Sequence, residues 1–389
     1  MTNLISLPST PAASVHELTR SLRDVAALPL ADACSLPSSL YGNPALLELE
    51  RREIFHSEWV CIGRADQLPR PGDYITDAID GQAIVAIRQK DGGIKIFSNS
   101  CLHRLTTLAV GEGHLSGPLV CPYHAWSYNV AGGLIATPYS SLQKDAACKG
   151  ETLKLREFAC EVWGGFLFAS LAEDPEPLAH RLAGLERQLP AVAMERYHAT
   201  CKHDEIWECD WKILVDNFVE GYHIFTVHKD TLEPITPTKS AVMKDGGDAF
   251  SLQYYSLVKE ATSELAHRGK AGVADGERGL VFTFQVFPTF IVSGSHNWLW
   301  WMSIQPLELN RAKLRWGICL TPEVVADPAL AAYPDELDAF IATANNEDMV
   351  AVTRAREGIS GPLPLVGRLT TLDQPIWEFI RYLGRALGG

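Results

Sequence analysis

Cys101-Leu102-His103 and Cys121-Pro122-Tyr123-His124 decide how this chain is read, because each short stretch offers one thiolate and one imidazole, with 17 residues between His103 and Cys121. Two such loops can close on one metal centre. A zinc site accepts two Cys and two His, but a [2Fe-2S] cluster with Cys on one iron and His on the other takes the same four ligands and adds a one-electron store. The spacing favours the cluster. Replacing two thiolates by neutral imidazoles removes negative charge and raises the potential, to within roughly −150 to +300 mV.

The surrounding sequence has the texture of a small antiparallel β domain. From Trp59 to about Phe168, short segments such as Ala83-Ile84-Val85-Ala86-Ile87 and Ile94-Lys95-Ile96-Phe97 are punctuated by Asp91-Gly92-Gly93 and Ala131-Gly132-Gly133. Ala172-Glu173-Asp174-Pro175-Glu176-Pro177 reads as an acidic, proline-bearing boundary. Upstream, an amphipathic stretch over Val15–Leu28 precedes a helix that opens at Asn43-Pro44 and runs towards Trp59. Downstream, helical and strand patterns mix, including Val281-Phe282-Thr283-Phe284-Gln285-Val286 and a closing helix near Pro375 to Leu387. We therefore expect an α+β protein with an N-terminal arm and helix over 1–56, a β domain over 57–170 and an α+β domain over 171–389.

Composition removes several classes of function. With 389 residues, 47% of them hydrophobic, the chain can build ordinary globular cores, and its formal charge of −13 argues against a nucleic-acid partner. No run approaches the ~18 apolar residues of a membrane span, and Met1 to Ser14 lacks a secretion signal. A soluble, cytoplasmic protein without a membrane partner is expected. The nine cysteines, Cys148 among them, are odd in number and scattered, unlike a secreted disulfide framework. Gly111-Glu112-Gly113 is a fragment of a dinucleotide fingerprint but opens no βαβ unit, so it supplies no nucleotide site.

A second constellation lies in Asp216-Asn217-Phe218-Val219-Glu220-Gly221-Tyr222-His223, continued to His228. Helical spacing would put Asp216, Glu220 and His223 on one face, while the five-residue step to His228 predicts a break between Ile224 and His228. Two imidazoles and one carboxylate on one face of Fe(II) leave positions open for O₂ and substrate. The carboxylate must come from elsewhere. Asn345-Asn346-Glu347-Asp348, on a predicted helix, offers two candidates about 100° apart, of which only one can face the histidines.

Cys101, His103, Cys121, His124, the following Trp126 and the Gly132-Gly133 to Pro138 loop resemble the Rieske proteins. Arg104 and Tyr123 stand where respiratory members carry a loop disulfide, so the resemblance is to the oxygenase branch. Leu105 departs from it, many relatives having Gly there. With the Asn-x-x-Glu-x-x-His-x4-His segment and the late acidic residue, the likeness to Rieske non-haem iron oxygenases spans nearly the whole chain. It implies a helix-grip catalytic domain around an antiparallel sheet, with Asp348 as third iron ligand beside His223 and His228 and Glu347 as the fallback. It also implies catalytic roles around Asp216, Asn217 and Glu220, in which Glu220 bridges His223 to His124 of a neighbouring subunit and Asp216 can substitute. A head-to-tail homotrimer follows, fed by a separate NAD(P)H-dependent flavin reductase or ferredoxin.

Substrate class is less legible. Tyr254-Tyr255, Phe282, Phe284, Phe287, Phe290, Trp298, Trp300 and Trp301 are expected to wall the cavity over the iron, suiting a trimethylammonium group or a flat aromatic ring. The motif style resembles choline and betaine type monooxygenases. An aromatic ring-hydroxylating dioxygenase is the alternative. A Rieske electron carrier or a zinc-stabilised binding module would leave His223, His228 and Asp348 without a task.

Overall fold

The computed structural model describes residues 13–139, 153–190, 192–258, 268 and 279–388, so Cys148 and the first twelve residues of the expected arm lie outside the described residues. The chain divides into two units, Phe55–Glu176 and the combination of Met1–Ile54 with Pro177–Gly389.

The first unit is built of strands. β1 (Val60–Arg64), β2 (Asp73–Ile79), β3 (Gln82–Arg88), β4 (Ile94–Ser98) and β5 (Glu112–His114) are followed by the short β6 (Leu119–Val120), β7 (Ser127–Tyr128) and β8 (Leu134–Ala136), then β9 (Glu157–Trp163) and β10 (Phe166–Ser170). They form an antiparallel sheet in the order β1-β10-β9-β4-β3-β2-β5 and a three-stranded sheet β6-β7-β8. Turn chemistry sets the register. Asp80 and Gly81 both take positive φ between the paired Ile79 and Gln82, the two-residue hairpin geometry that matches strand twist. Val85, Ile87, Phe97, Leu119 and Tyr128 pack into a core that also buries Cys101 and Cys121.

The second unit carries α1 (Val15–Ala26), α2 (Pro44–Glu50), α3 (Leu178–Glu186), β11 (His198–Trp207), α4 (Trp211–Val219) and α5 (Ile224–Val227). β12 (Val242–Met243), β13 (Phe250–Ser256), β14 (Leu280–Val286), β15 (Phe290–Gly294), β16 (Trp298–Glu308) and β17 (Arg311–Leu320) follow, then α6 (Tyr333–Ile359) and α7 (Gln374–Leu387). Its sheet runs β11-β17-β16-β15-β14-β13-β12, antiparallel throughout. The α+β class expected from sequence holds. Asn43 caps α2 by accepting from the N–H groups of Ala45 and Leu46, but the helix expected to run towards Trp59 widens into a π turn at Arg51–Phe55 and ends there. α1, capped by Ser14 and Glu17, lies against α7 where Gly384 meets Ala26. Among the described residues, no helix is long and apolar enough to cross a membrane.

α4 is buried on nearly every side and is anchored by charge. Lys212 Nζ lies 2.6 Å from Glu50 and 2.9 Å from Asp210, all three being buried. Burial works against the charged ammonium, but the Asp210 and Glu50 carboxylates outweigh it and hold Lys212 above the usual lysine range. Removing the Lys212 ammonium would leave two buried carboxylates without a counter-charge, costing about 3–5 kcal/mol. This ties the α2 segment to the helix that leads into His223.

Candidate functional site

The first site lies in two loops of the strand-built unit that are near copies of one another. Leu105 N–H donates to Cys101 O at 2.9 Å and Cys101 N–H to Thr106 O at 2.9 Å; in the second loop Ala125 N–H reaches Cys121 O at 3.0 Å and Cys121 N–H reaches Trp126 O at 2.8 Å. Each loop turns through a left-handed residue, Leu105 at φ 58° and Ala125 at φ 57°. Both thiols are buried, whereas His103 and His124 are exposed with ring centroids 4.6 Å apart. Trp126 stacks on His103 at 4.9 Å. Burial pushes the Cys121 thiol up, but the N–H groups of Tyr123 and His124 and the Cys101 thiol outweigh it, so its value falls below the ordinary thiol range. Two inner sulfurs and two outer imidazoles fit a cluster whose irons take different ligand types.

Tyr128 was not singled out by the spacing. Its hydroxyl lies 3.2 Å from Cys101 Sγ and accepts from the Leu102 N–H at 2.9 Å. Hydrogen bonds to cluster sulfurs tune potential.

The second site is formed where α4 ends. His223 Nε2 and His228 Nε2 lie 3.4 Å and 3.0 Å from the same oxygen of Asp348, and all three donors fall within 4.8 Å of one another. The far edge of each ring is also held: His223 Nδ1 lies 2.5 Å from Glu220 and His228 Nδ1 lies 2.7 Å from Glu347, which also accepts from the Thr231 hydroxyl at 2.6 Å. Asp348 and Glu347 therefore grip opposite edges of His228, and the two are complementary where helical spacing alone makes them alternatives. Burial lowers the His223 imidazole, but Glu220 and Asp348 outweigh it and lift it to about 10. His228 is raised too, and the two imidazoles hold Asp348 below the usual carboxylate range despite its burial. The carboxylates draw a cation to the point the nitrogens face, so this donor set fits a 2-His-1-carboxylate iron site.

Two details differ from expectation. The helix breaks before His223, not between Ile224 and His228: α4 stops at Val219, Glu220 is extended, and α5 fills the gap between the two histidines. The Glu220 carboxylate accepts from the N–H groups of Tyr222 and His223, an arrangement that competes with helical continuation. Asp216, Glu220 and His223 consequently do not share one helical face. Asp216 turns to accept from the Tyr41 hydroxyl at 2.7 Å, and burial pushes its carboxyl up to about 7. Asn217 and Glu220 border both the cavity over the histidines and a second one beside Tyr41 and Asp216.

Strand alternation corrects the expected aromatic wall. Tyr255, Trp298 and Trp300 line the cavity over the histidines. Phe282 and Phe284 point to the opposite sheet face, stacked on each other at 6.0 Å, and the alternate residues Val281 and Thr283 take the wall positions. Phe287, Phe290, Trp301 and Tyr254 are also absent from that lining. The missed contact is at Gly221, where a Cβ would collide with the Tyr255 hydroxyl.

Residues 192–389 match the family described as ring hydroxylating alpha subunit (catalytic domain), and residues 58–147 match the Rieske [2Fe-2S] domain. The chain is 32% identical over 202 residues to the glycine betaine monooxygenase oxygenase subunit of Chromohalobacter salexigens, covering 52% of this chain and 44% of that one. Against the carnitine monooxygenase oxygenase subunit of Acinetobacter baumannii it is 30% identical, with 50% and 53% covered. Against chloroplastic choline monooxygenase of Arabidopsis thaliana it is 24% identical, with 90% and 82% covered. The chain thus spans about half the length of the bacterial relatives it matches. Among solved structures, a quaternary ammonium Rieske monooxygenase superposes with a TM-score of 0.81 at 22% identity, covering 94% of this chain and 98% of that one. Naphthalene 1,2-dioxygenase from Rhodococcus sp. gives 0.72 at 18%, with 91% and 94% covered. Likeness at these identities speaks for the fold.

Proposed function

Because this chain belongs to the ring-hydroxylating oxygenase alpha subunits, which join a Rieske [2Fe-2S] domain to a non-haem iron catalytic domain, we propose that it is a terminal oxygenase component that hydroxylates or oxidatively demethylates a small quaternary amine. The observation that carries this reading is the convergence of His223 Nε2, His228 Nε2 and Asp348 Oδ1 beside an apolar cavity. Fe(II) held by these atoms supplies open coordination positions and electrons towards O₂. Glu220 and Glu347 keep a proton on each Nδ1 and so leave each Nε2 free to ligate.

Cys101, Cys121, His103 and His124 hold the cluster, which stores one of the two electrons that the reaction takes from a separate NAD(P)H-dependent flavin reductase or ferredoxin. Glu220 touches His223 on one side and borders the second cavity on the other, which supports its role as a bridge to His124 of a neighbouring subunit in a homotrimer. Leu232, Val281 and Ile341 exclude water from the cavity. Tyr255, Trp298 and Trp300 offer ring faces to a cationic headgroup, and no Lys or Arg stands among the described lining residues to repel one.

The test is O₂ uptake with a surrogate reductase in the presence of choline, glycine betaine, carnitine or aromatic acids. Uptake coupled to an oxidised amine product supports the reading. Uptake with aromatic acids alone replaces it with a ring-hydroxylating dioxygenase, and a chain holding only cluster iron is an electron carrier.

A further inference from the structure

Cys201, His203 and Asp338 form a second group of convergent metal-type donors, outside the cavity and without a task in the chemistry above. Cys201 and His203 stand two apart on β11 and so share the face turned towards α6, where Asp338 sits in the second turn. A bulge at Thr200, between the pairs Ala199↔Cys319 and Cys201↔Ile318, sets that register. His203 Nε2 lies 2.8 Å from Asp338 Oδ1, and the three donor atoms fall within 4.8 Å of one another. The imidazole is fixed independently of Asp338, because it stacks on Trp316 directly across the strand pair, with centroids 4.2 Å apart. All three residues are partly exposed, which leaves a route for a cation.

We propose that Cys201, His203 and Asp338 bind a zinc ion that fastens β11 to α6. One sulfur, one nitrogen and one oxygen are a donor set zinc accepts, with a water as fourth ligand. Bonds of about 2.0–2.3 Å place tetrahedral donors about 3.3–3.6 Å apart, so donors already within 4.8 Å of one another close on a metal by small side-chain shifts, the His203–Asp338 pair opening slightly from 2.8 Å. Binding releases the Cys201 thiol proton to solvent and moves the imidazole proton to Nδ1, leaving sulfur and Nε2 lone pairs for the metal. Without metal, burial and Asp338 push the thiol up to about 12, and the group persists as a hydrogen-bonded cluster. α6 also carries Asp348, so the fastening bears on the helix that supplies a donor to the iron site.

The experiment uses the full chain with cluster and iron in place, incubated with Zn²⁺, freed of loose metal and counted for both elements. One zinc per chain with undiminished iron, and none in Cys201→Ser or His203→Gln, is the expected result. Thermal unfolding of the parent should move up with Zn²⁺ while neither variant responds. Co²⁺ provides a readout independent of those variants, since a cobalt–thiolate charge-transfer band should appear in the parent and persist in Asp348→Ala. Zinc that enters only as iron leaves, equal uptake by parent and both variants, or no uptake by the parent overturns the site.

Discussion

Glu347 Oε2 lies 2.7 Å from Nδ1 of His228, on the opposite edge of the ring from Asp348. Two consecutive carboxylates on α6 thus meet different edges of one ring, Asp348 the Nε2 side and Glu347 the Nδ1 side. Asp348→Ala should abolish mononuclear iron and product while the visible spectrum of the cluster is kept. Glu347→Ala should retain activity but weaken iron binding by about 10–100-fold. Iron per chain after dialysis, measured beside turnover, separates the two; equal loss in both variants would make Glu347 a ligand.

Glu220→Gln keeps the size of the side chain and an acceptor but removes the charge facing His223 Nδ1. Both centres should load. Stopped-flow mixing of reduced protein with substrate and O₂ should show cluster reoxidation slowed by orders of magnitude. Reoxidation at the parent rate would remove Glu220 from the electron route.

Tyr128→Phe deletes the hydroxyl 3.2 Å from Cys101 Sγ and changes nothing else in volume. A sulfur that loses a hydrogen-bond donor holds added electron density less well, so the cluster potential should move negative. A redox titration followed in the visible region reads this directly, and an unchanged potential would count against the contact.

Leu105 holds φ 58° with its side chain in solvent. A left-handed non-glycine residue costs roughly 1–2 kcal/mol, partly offset for glycine by its greater freedom when unfolded. Leu105→Gly should therefore stabilise the first unit by about 1 kcal/mol, seen as slower cluster loss on heating. Faster loss would mean the loop gains from the leucine itself.

Burial lifts Glu378 to about 7, against the hydrogen bonds from Gln374 and the Gly246 N–H. A carboxyl raised in the folded chain contributes most while protonated: its stability is complete below the ordinary value of 4.5 and is lost as pH rises through about 7. Glu378→Gln mimics the protonated form, so it should melt above the parent at pH 8, with the gap closing by pH 5. A gap independent of pH would assign the effect to packing.

The convergent donors were legible because each pair lies within a few residues, where chain geometry leaves little freedom. What stood opposite them was not. The α4 terminus depended on the Glu220 carboxylate capturing the N–H groups of Tyr222 and His223, a competition that periodicity does not register. Glu347 could be read as pointing away from Asp348, but that His228 Nδ1 waited there is a tertiary fact. The aromatic wall failed for a simpler reason. Phe282 and Phe284 share one strand parity and Val281 and Thr283 the other, so an aromatic-rich run places only one of its two faces on the cavity.

The Tyr255 hydroxyl occupies the space beside Gly221 that any larger residue would claim. Guest preference and metal retention are thereby linked through a position that is itself no part of the wall, since a side chain at 221 would drive Tyr255 into the cavity and disturb the dipeptide step to His223. Val281, Thr283 and Met302 reach the same cavity from strands that carry none of the three convergent donors, so a size change there reshapes the wall without touching that loop.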